Sequence, residues 1–233
     1  IEKIASEWKL EAKLEEYKYF YNYKEVQTIL ENKKCYVIGR KGSGKTAICN
    51  HIVKNQQYDS FSERLSFKNF PFNELYSLTN VKYTAPNQYI TIWKYLIYST
   101  VCKLMVVNEN IDLEIRIQLE KIYPKKNVKQ LARQVSEWTS GEFGVNILEY
   151  GGNLKVSREI DVPVSKIDWI DKVNILEDII INYCDNSKYY IVFDELDEDY
   201  REINDNNESN QYKSLLTSLF KAVQDVKATF SYL

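Results

Sequence analysis

Three of the seven glycines in this 233-residue chain stand in Gly39-Arg40-Lys41-Gly42-Ser43-Gly44-Lys45-Thr46, spaced as G-x-x-x-x-G-K-[ST]. The other four, Gly141, Gly144, Gly151 and Gly152, fall in one further stretch. Glycine used this sparingly marks positions where the backbone needs freedom that a Cβ would deny. In the first cluster that freedom lets successive backbone N–H groups turn inward and surround phosphate oxygens, at the positive end of the helix that follows. Lys45 then reaches the β- and γ-phosphates, and the Thr46 hydroxyl holds Mg²⁺. Gly39, Arg40, Lys41, Gly42, Ser43, Gly44, Lys45, Thr46 and Ala47 are therefore the expected nucleotide-contacting residues. A chance match to a four-position pattern is the competing reading, and the flanking sequence argues against it.

Such a loop needs a strand before it and a helix after it. Tyr36-Val37-Ile38, with Cys35 ahead of it, is a short apolar run that reads as a buried parallel strand, and Ala47 to Val53 continue from the loop as a helix. The site also needs a second ligand for the ion. Tyr189-Tyr190-Ile191-Val192-Phe193 is a continuous apolar run, as expected of a central strand covered on both faces, and it ends in Asp194-Glu195-Leu196-Asp197. Asp194 is expected to bind Mg²⁺ together with Thr46. Glu195, pointing the opposite way because side chains alternate on a strand, is expected to polarise an attacking water. An ordinary solvated acidic turn is the plainer reading of the same residues.

The remaining elements must position these two motifs. Residues 2–19 have apolar positions at Ile4, Trp8, Leu10 and Leu14, an amphipathic helix; a second short helix spans about 24–31. Arg64 to Lys68 alternates as a strand. Pro86-Asn87 opens a helix with Ile90, Trp93, Ile97, Val101 and Leu104 at helical spacing. Ile111, Ile115, Leu119 and Ile122 make another, stopped by Pro124, and Val128, Leu131, Val135 and Trp138 a third. These stripes read as core-facing. Phe143, Val145 and Ile147 alternate with Gly144 and Asn146, and after Gly151-Gly152 so do Leu154 and Val156. The pattern predicts a β-hairpin with a Gly-Gly turn. Ser165 with Asp168 resembles a capping box for a helix running through Ile167, Val173, Ile180 and Tyr183. After a polar loop at 204–210, Tyr212, Leu216, Leu219, Val223 and Val226 form a helix, and Ala228 to Leu233 begins a further strand.

Strands alternating with helices after a phosphate loop predict an α/β fold, a parallel central sheet covered on both faces with nucleotide at its carboxyl edge. The stretch between Lys45 and Asp194 is far longer than such a fold needs. It predicts residues 1–85 as N-terminal helices and the first part of the core, 86–164 as an inserted helical subdomain with the hairpin, and 165–233 as the second part. The start at Ile1 and the end inside an apolar stretch at Leu233 lead us to expect a longer polypeptide.

Composition narrows the partners. A net charge of −2 gives no global basic field for nucleic acid, although local basic patches remain open. The four cysteines, Cys35, Cys49, Cys102 and Cys184, show no C-x-x-C spacing and sit in apolar contexts, as buried free thiols of a reducing cytoplasm do. His51 is the only histidine, which excludes a multi-histidine metal site. By inspection no run is long and apolar enough to cross a bilayer, and no signal peptide is visible.

Ile38 to Ala47, taken with Phe193 to Asp197, resembles the AAA+/STAND side of the P-loop NTPases, more narrowly bacterial ATPases related to origin-recognition and KAP-type proteins, some of them found in anti-phage defence. The resemblance is sharp over about 35–54 and 188–198. It implies a three-layer P-loop sandwich, ATP held by the loop, Mg²⁺ held through Thr46 and Asp194, Glu195 activating water with Lys45 on the phosphates, and assembly into homo-oligomers that regulate an effector. It also implies a polar sensor residue, Thr229 or Ser231, in the strand from Ala228. The absence of a Leu-Ser-Gly-Gly signature argues against an ABC ATPase, and that of Asn-Lys-x-Asp against a GTPase. Two alternatives stay open: an ATP-dependent assembly switch that does not hydrolyse, and a P-loop metabolite kinase.

Overall fold

The computed structural model describes residues 24–54, 58–68, 70, 72–78, 83–85, 87–125, 130–151, 154, 168–197 and 206–230. The expected helix over 2–19, the second half of the predicted hairpin apart from Leu154, Ser165 and Ser231 lie outside them. Helix α1, Lys24–Leu30, leads to the loop, and helix α2, Lys45–Lys54, leaves it. Strand β1, Ser60–Ser66, is followed by a short helix α3, Phe72–Tyr76. One 3₁₀ turn, Asn87–Tyr89, feeds the long helix α4, Ile90–Val107, after which come α5, Leu113–Ile122, and α6, Leu131–Trp138. Helix α7, Gly141–Asn146, runs into a turn of π-helix, Ile147–Gly151. Helix α8, Trp169–Tyr183, strand β2, Lys188–Asp194, and helix α9, Asn206–Thr229, complete the order.

Among the described residues the sheet has two strands. β1 and β2 pair in parallel, from Ser60 opposite Lys188 to Ser66 opposite Asp194. The ladder extends to the Phe67 N–H, which donates to the Asp194 carbonyl at 2.9 Å. Helix α2 packs on this pair, and α4 also contacts both strands. One contiguous core runs from Leu65 and Phe67 through Trp93, Tyr95 and Tyr98 to Leu176, Ile179 and Leu215. Among the described residues, this core includes side chains from both sides of position 86.

Helix α4 is the axis of that core. The sequence predicts one apolar face, but burial extends nearly all round, from Thr91 and Ile92 to Met105 and Val106. Two of its buried polar groups are met internally: the Trp93 indole N–H donates to the Leu215 carbonyl (2.9 Å), and the Tyr95 hydroxyl to the Trp138 carbonyl (2.5 Å). Asn87–Val107 also has the length and a mean hydropathy of 1.4 that a membrane span requires, contrary to the sequence reading, yet 72% of that window is buried inside the fold. Packing by α5, α8 and α9 accounts for its apolar character.

Three sequence expectations are corrected. The segment 35–38 is not a buried strand: it pairs with no other strand among the described residues, and Ile38 is 96% exposed. It is anchored instead by the Tyr36 ring, edge-on to Phe220 with centroids 5.0 Å apart, beside a turn held by the Tyr190 hydroxyl on the Leu30 carbonyl. The first strand of the predicted hairpin is helical. Ser140 caps α7 by accepting from the Phe143 N–H (3.2 Å), and Phe143 and Ile147, four residues apart, enter the core while Val145 stays outside. Gly151 therefore supplies close approach, since a Cβ there would meet Ile175 at 3.0 Å. Finally, Ala228 and Thr229 do not begin a strand but end α9, with the Phe230 N–H donating to the Val226 carbonyl and its ring edge-on to Tyr98.

Other expectations shift only in detail. Helix α8 is opened by a capping box, with Asp168 at the N-cap and Asp171 at the third position. Cys102 alone of the four free cysteines is fully buried; Cys49 and Cys184 are half-buried, and Cys35 is exposed.

Candidate functional site

The loop from Gly39 to Gly44 is exposed and leads straight into α2. Gly42 and Gly44 adopt φ of +82° and +87°, in the left-handed region that a Cβ penalises by about 1–2 kcal/mol. No atom lies within 4 Å of where either Cβ would be, so backbone conformation alone demands glycine. Lys45 folds back over the loop, its Nζ donating to the carbonyls of Gly39 (2.9 Å) and Arg40 (3.2 Å). An ammonium ion is thus held at the mouth of the loop by two weak acceptors, from which a phosphate oxygen could draw it.

Helix α2 connects this loop to the acidic end of β2. The Cys49 thiol sits beside Asp194; burial first, and then the Asp194 charge, push its pKa up to about 12. One residue on, the Asn50 Oδ1 accepts from Arg64 Nη1 at 3.1 Å. Thr46 precedes these two by three and four positions and so shares their helical face, one turn nearer the loop. Cys49 and Asn50 thus face Asp194 and Arg64, with Thr46 on the same helical face one turn nearer the loop.

Asp194 is 5% exposed, the one charged residue among the buried residues described. Arg64, two positions before Asp194's register partner Ser66, reaches diagonally to it, with Nη2 2.7 Å from Oδ2. The contact is close in distance but poorly aligned: neither Asp194 Oδ2 nor Arg64 Nε has a hydrogen-bond partner. The other carboxylate oxygen, Oδ1, accepts from the Glu195 N–H at 2.9 Å. Breaking a fully buried pair by removing one partner costs about 3–5 kcal/mol, and less here because Arg64 is 26% exposed.

Glu195 departs from the alternation expected of a strand. The strand stops at Asp194, and Glu195 takes φ +61°, one of two non-glycine residues with positive φ among the described residues. This turn brings its carboxylate back to the same neighbours. Oε2 accepts from the Ser66 hydroxyl and lies 3.5 Å from Arg64 Nη2. Both carboxylates thus converge on one guanidinium, whereas the sequence places them on opposite sides. Arg64 and Ser66 were missed because a single alternating strand gives no sign of which charge its neighbour will carry.

These residues fit a nucleotide with its magnesium ion. The observation that tests the fit is the buried Asp194 Oδ2, which makes a misaligned ion pair with Arg64 and no hydrogen bond, beside the helix face that includes Thr46. Among the described residues no group of three His, Cys, Asp or Glu side chains converges. Thr229, expected as a sensor, instead hydrogen-bonds within α9, its hydroxyl donating to the Asp225 carbonyl at 3.0 Å. His51, in α2, is half-buried, and burial lowers its pKa. The chain matches no protein-family model, no curated protein and no solved structure.

Proposed function

We propose that this protein binds ATP with Mg²⁺ at the loop 39–47 and hydrolyses it slowly. The observation that supports this most is the junction itself: a loop with left-handed Gly42 and Gly44 runs into a helix whose third turn-face neighbour, Cys49, abuts Asp194. Backbone N–H groups of Gly42 to Thr46 would bind phosphate oxygens, with Lys45 leaving the Gly39 and Arg40 carbonyls to join them. Thr46 and Asp194 would hold the ion, which when bound supplies charge neutralisation across the phosphates. Glu195, fixed by Ser66, would accept a proton from water.

A specific observation favours the non-hydrolysing switch as the second reading. Glu195 is engaged by Ser66 and Arg64 and is turned from the orientation a strand would give it. A base so occupied suits a protein that holds ATP for long periods, as an assembly switch for an effector would. Homo-oligomeric assembly and a role in defence rest on the sequence resemblance alone.

Calorimetry of ATP with and without Mg²⁺, on the parent and on Lys45→Ala, tests the assignment. Losing one charge-assisted phosphate contact is expected to weaken ATP at least about tenfold with the fold intact. Equal affinity in the two proteins would remove the loop from the nucleotide site.

A further inference from the structure

Arg64 occupies the place where a cation is needed. Its guanidinium lies 2.7 Å from Asp194 Oδ2 and 3.5 Å from Glu195 Oε2, and its Nη1 donates to Asn50 on α2. It therefore links the acidic end of β2 to the helix that begins with Lys45 and Thr46. Its hold on Asp194 is misaligned, and its own Nε is unpartnered although buried. A guanidinium that served only to neutralise a carboxylate would be expected to pair side by side, with two parallel N–H···O bonds.

Room exists for it to move. A cavity of about 270 Å³ is lined by Glu63, Arg64, Ser66, Lys68, Gln130 and Gln134, among others. The Glu63 carboxylate and the Gln134 amide oxygen are acceptors there, already sharing Lys103 at 2.5 and 3.5 Å. Arg64 thus borders both the buried aspartate and an open, polar space.

We propose that Arg64 is a resident counter-ion of the Asp194–Glu195 pair that a divalent cation must displace when nucleotide binds. The inference rests on the Mg²⁺–ATP reading above. A guanidinium and a divalent ion cannot both stand within contact distance of Oδ2, because like charges at that separation repel strongly in a partly buried site. Arg64 and metal therefore compete for Asp194, each weakening the other's hold by the same factor. Displacement also strains the Arg64–Asn50 bond, so that metal loading is felt by the helix that begins with the phosphate-binding residues.

Mn²⁺, with a non-hydrolysable ATP analogue, serves as the probe, and its binding is read by loss of the free-ion paramagnetic resonance signal. Arg64→Gln is expected to bind Mn²⁺ about tenfold more tightly than the parent, and Arg64→Lys about threefold. In chelator, Arg64→Gln should melt at lower temperature than the parent, and Mn²⁺ with the analogue should close the gap. If Arg64→Gln does not fold, Arg64→Lys alone decides, because it keeps a charge but not the fork. Mn²⁺ affinity unchanged or weaker in the folded variants would overturn the counter-ion role. Analogue binding by the parent in chelator is measured alongside. If that binding is present while Arg64 variants leave Mn²⁺ unaffected, this inference alone falls; if the parent binds no analogue with or without Mn²⁺, the ATP reading falls and takes this one with it.

Discussion

The Arg64 guanidinium stands 2.7 Å from the buried Asp194 Oδ2, reaching it diagonally across the β1–β2 ladder from the register position opposite Val192. The same guanidinium touches Glu195 and Asn50, so one side chain from the middle of β1 ties together the acidic turn and the helix after the glycine loop.

On the Mg²⁺–ATP proposal the two carboxylates would have separable roles. Glu195→Gln preserves size and can still accept from Ser66, but it cannot take a proton. Single-turnover phosphate release is expected to fall about 10²–10⁴-fold with ATP affinity retained. Asp194→Asn, in contrast, should weaken ATP only when Mg²⁺ is present. Unchanged hydrolysis in Glu195→Gln would reduce Glu195 to part of an acidic turn. A parent that never hydrolyses yet assembles only with ATP would favour the switch.

Gly42 tests the loop through its backbone. Nothing lies within 4 Å of a Cβ at this position, so Gly42→Ala meets no clash, only the penalty of φ +82°. Urea unfolding should show a loss of about 1–2 kcal/mol. ATP affinity should fall too, because relieving the strain re-aims the adjacent N–H groups.

The helical form of residues 141–151 predicts unequal costs for two neighbouring apolar residues. Phe143 is buried, with its ring 5.3 Å from Tyr123 and 6.4 Å from Trp138, so Phe143→Ala should cost about 3–5 kcal/mol. Val145 is 39% exposed, and Val145→Thr should stay within about 0.5 kcal/mol. A β-strand with both side chains buried on one face would make Val145→Thr clearly destabilising as well, by burying an unsatisfied hydroxyl. Equilibrium urea unfolding of both variants separates the cases.

Alkaline pH should destabilise the fold through its thiols. Burial raises the Cys102 pKa far above the usual thiol range, Cys49 rises to about 12 and Cys184 to about 11. Unfolded thiols ionise near about 8.5, so above that pH the unfolded chain has shed protons that the folded one retains. Stability is therefore complete below about pH 8.5 and falls as pH rises through the folded values, by up to about 1.4 kcal/mol per pH unit for a fully buried thiol. Urea midpoints between about pH 7 and pH 10 measure the slope, which Cys102→Ala should lessen. An undiminished slope would assign the effect to other groups, the buried tyrosines among them.

Much of the local structure is legible in the sequence because it is carried by local signals. Leu119 and Ile122 enter the core at helical spacing, the apolar run before Asp194 forms β2, and Gly42 and Gly44 take left-handed angles in the loop. Period alone misleads where two periods fit. Phe143, Val145 and Ile147 satisfy alternation, but Phe143 and Ile147 also satisfy helical spacing, and the Ser140 cap together with the Tyr123 and Trp138 rings selects the helix. In Tyr36-Val37-Ile38 the apolar run suits a strand, but a strand needs an edge to pair with, and none is supplied among the described residues.

By itself the sequence determined the local form around the loop: Gly42 and Gly44 where φ is positive, Lys45 and Thr46 at the head of a helix, and a carboxylate at the end of an apolar strand. Only the tertiary structure decided what that carboxylate meets. Arg64 and Glu195 lie 131 residues apart, and nothing in β1 as a string announces which strand it will join or in what register. Parallel pairing of Ser66 with Asp194 fixes both, and a left-handed turn at Glu195 then brings the second carboxylate to the same cation. Long-range register and a single backbone angle are set by burial and electrostatics summed over the whole fold, and no window of sequence contains that sum.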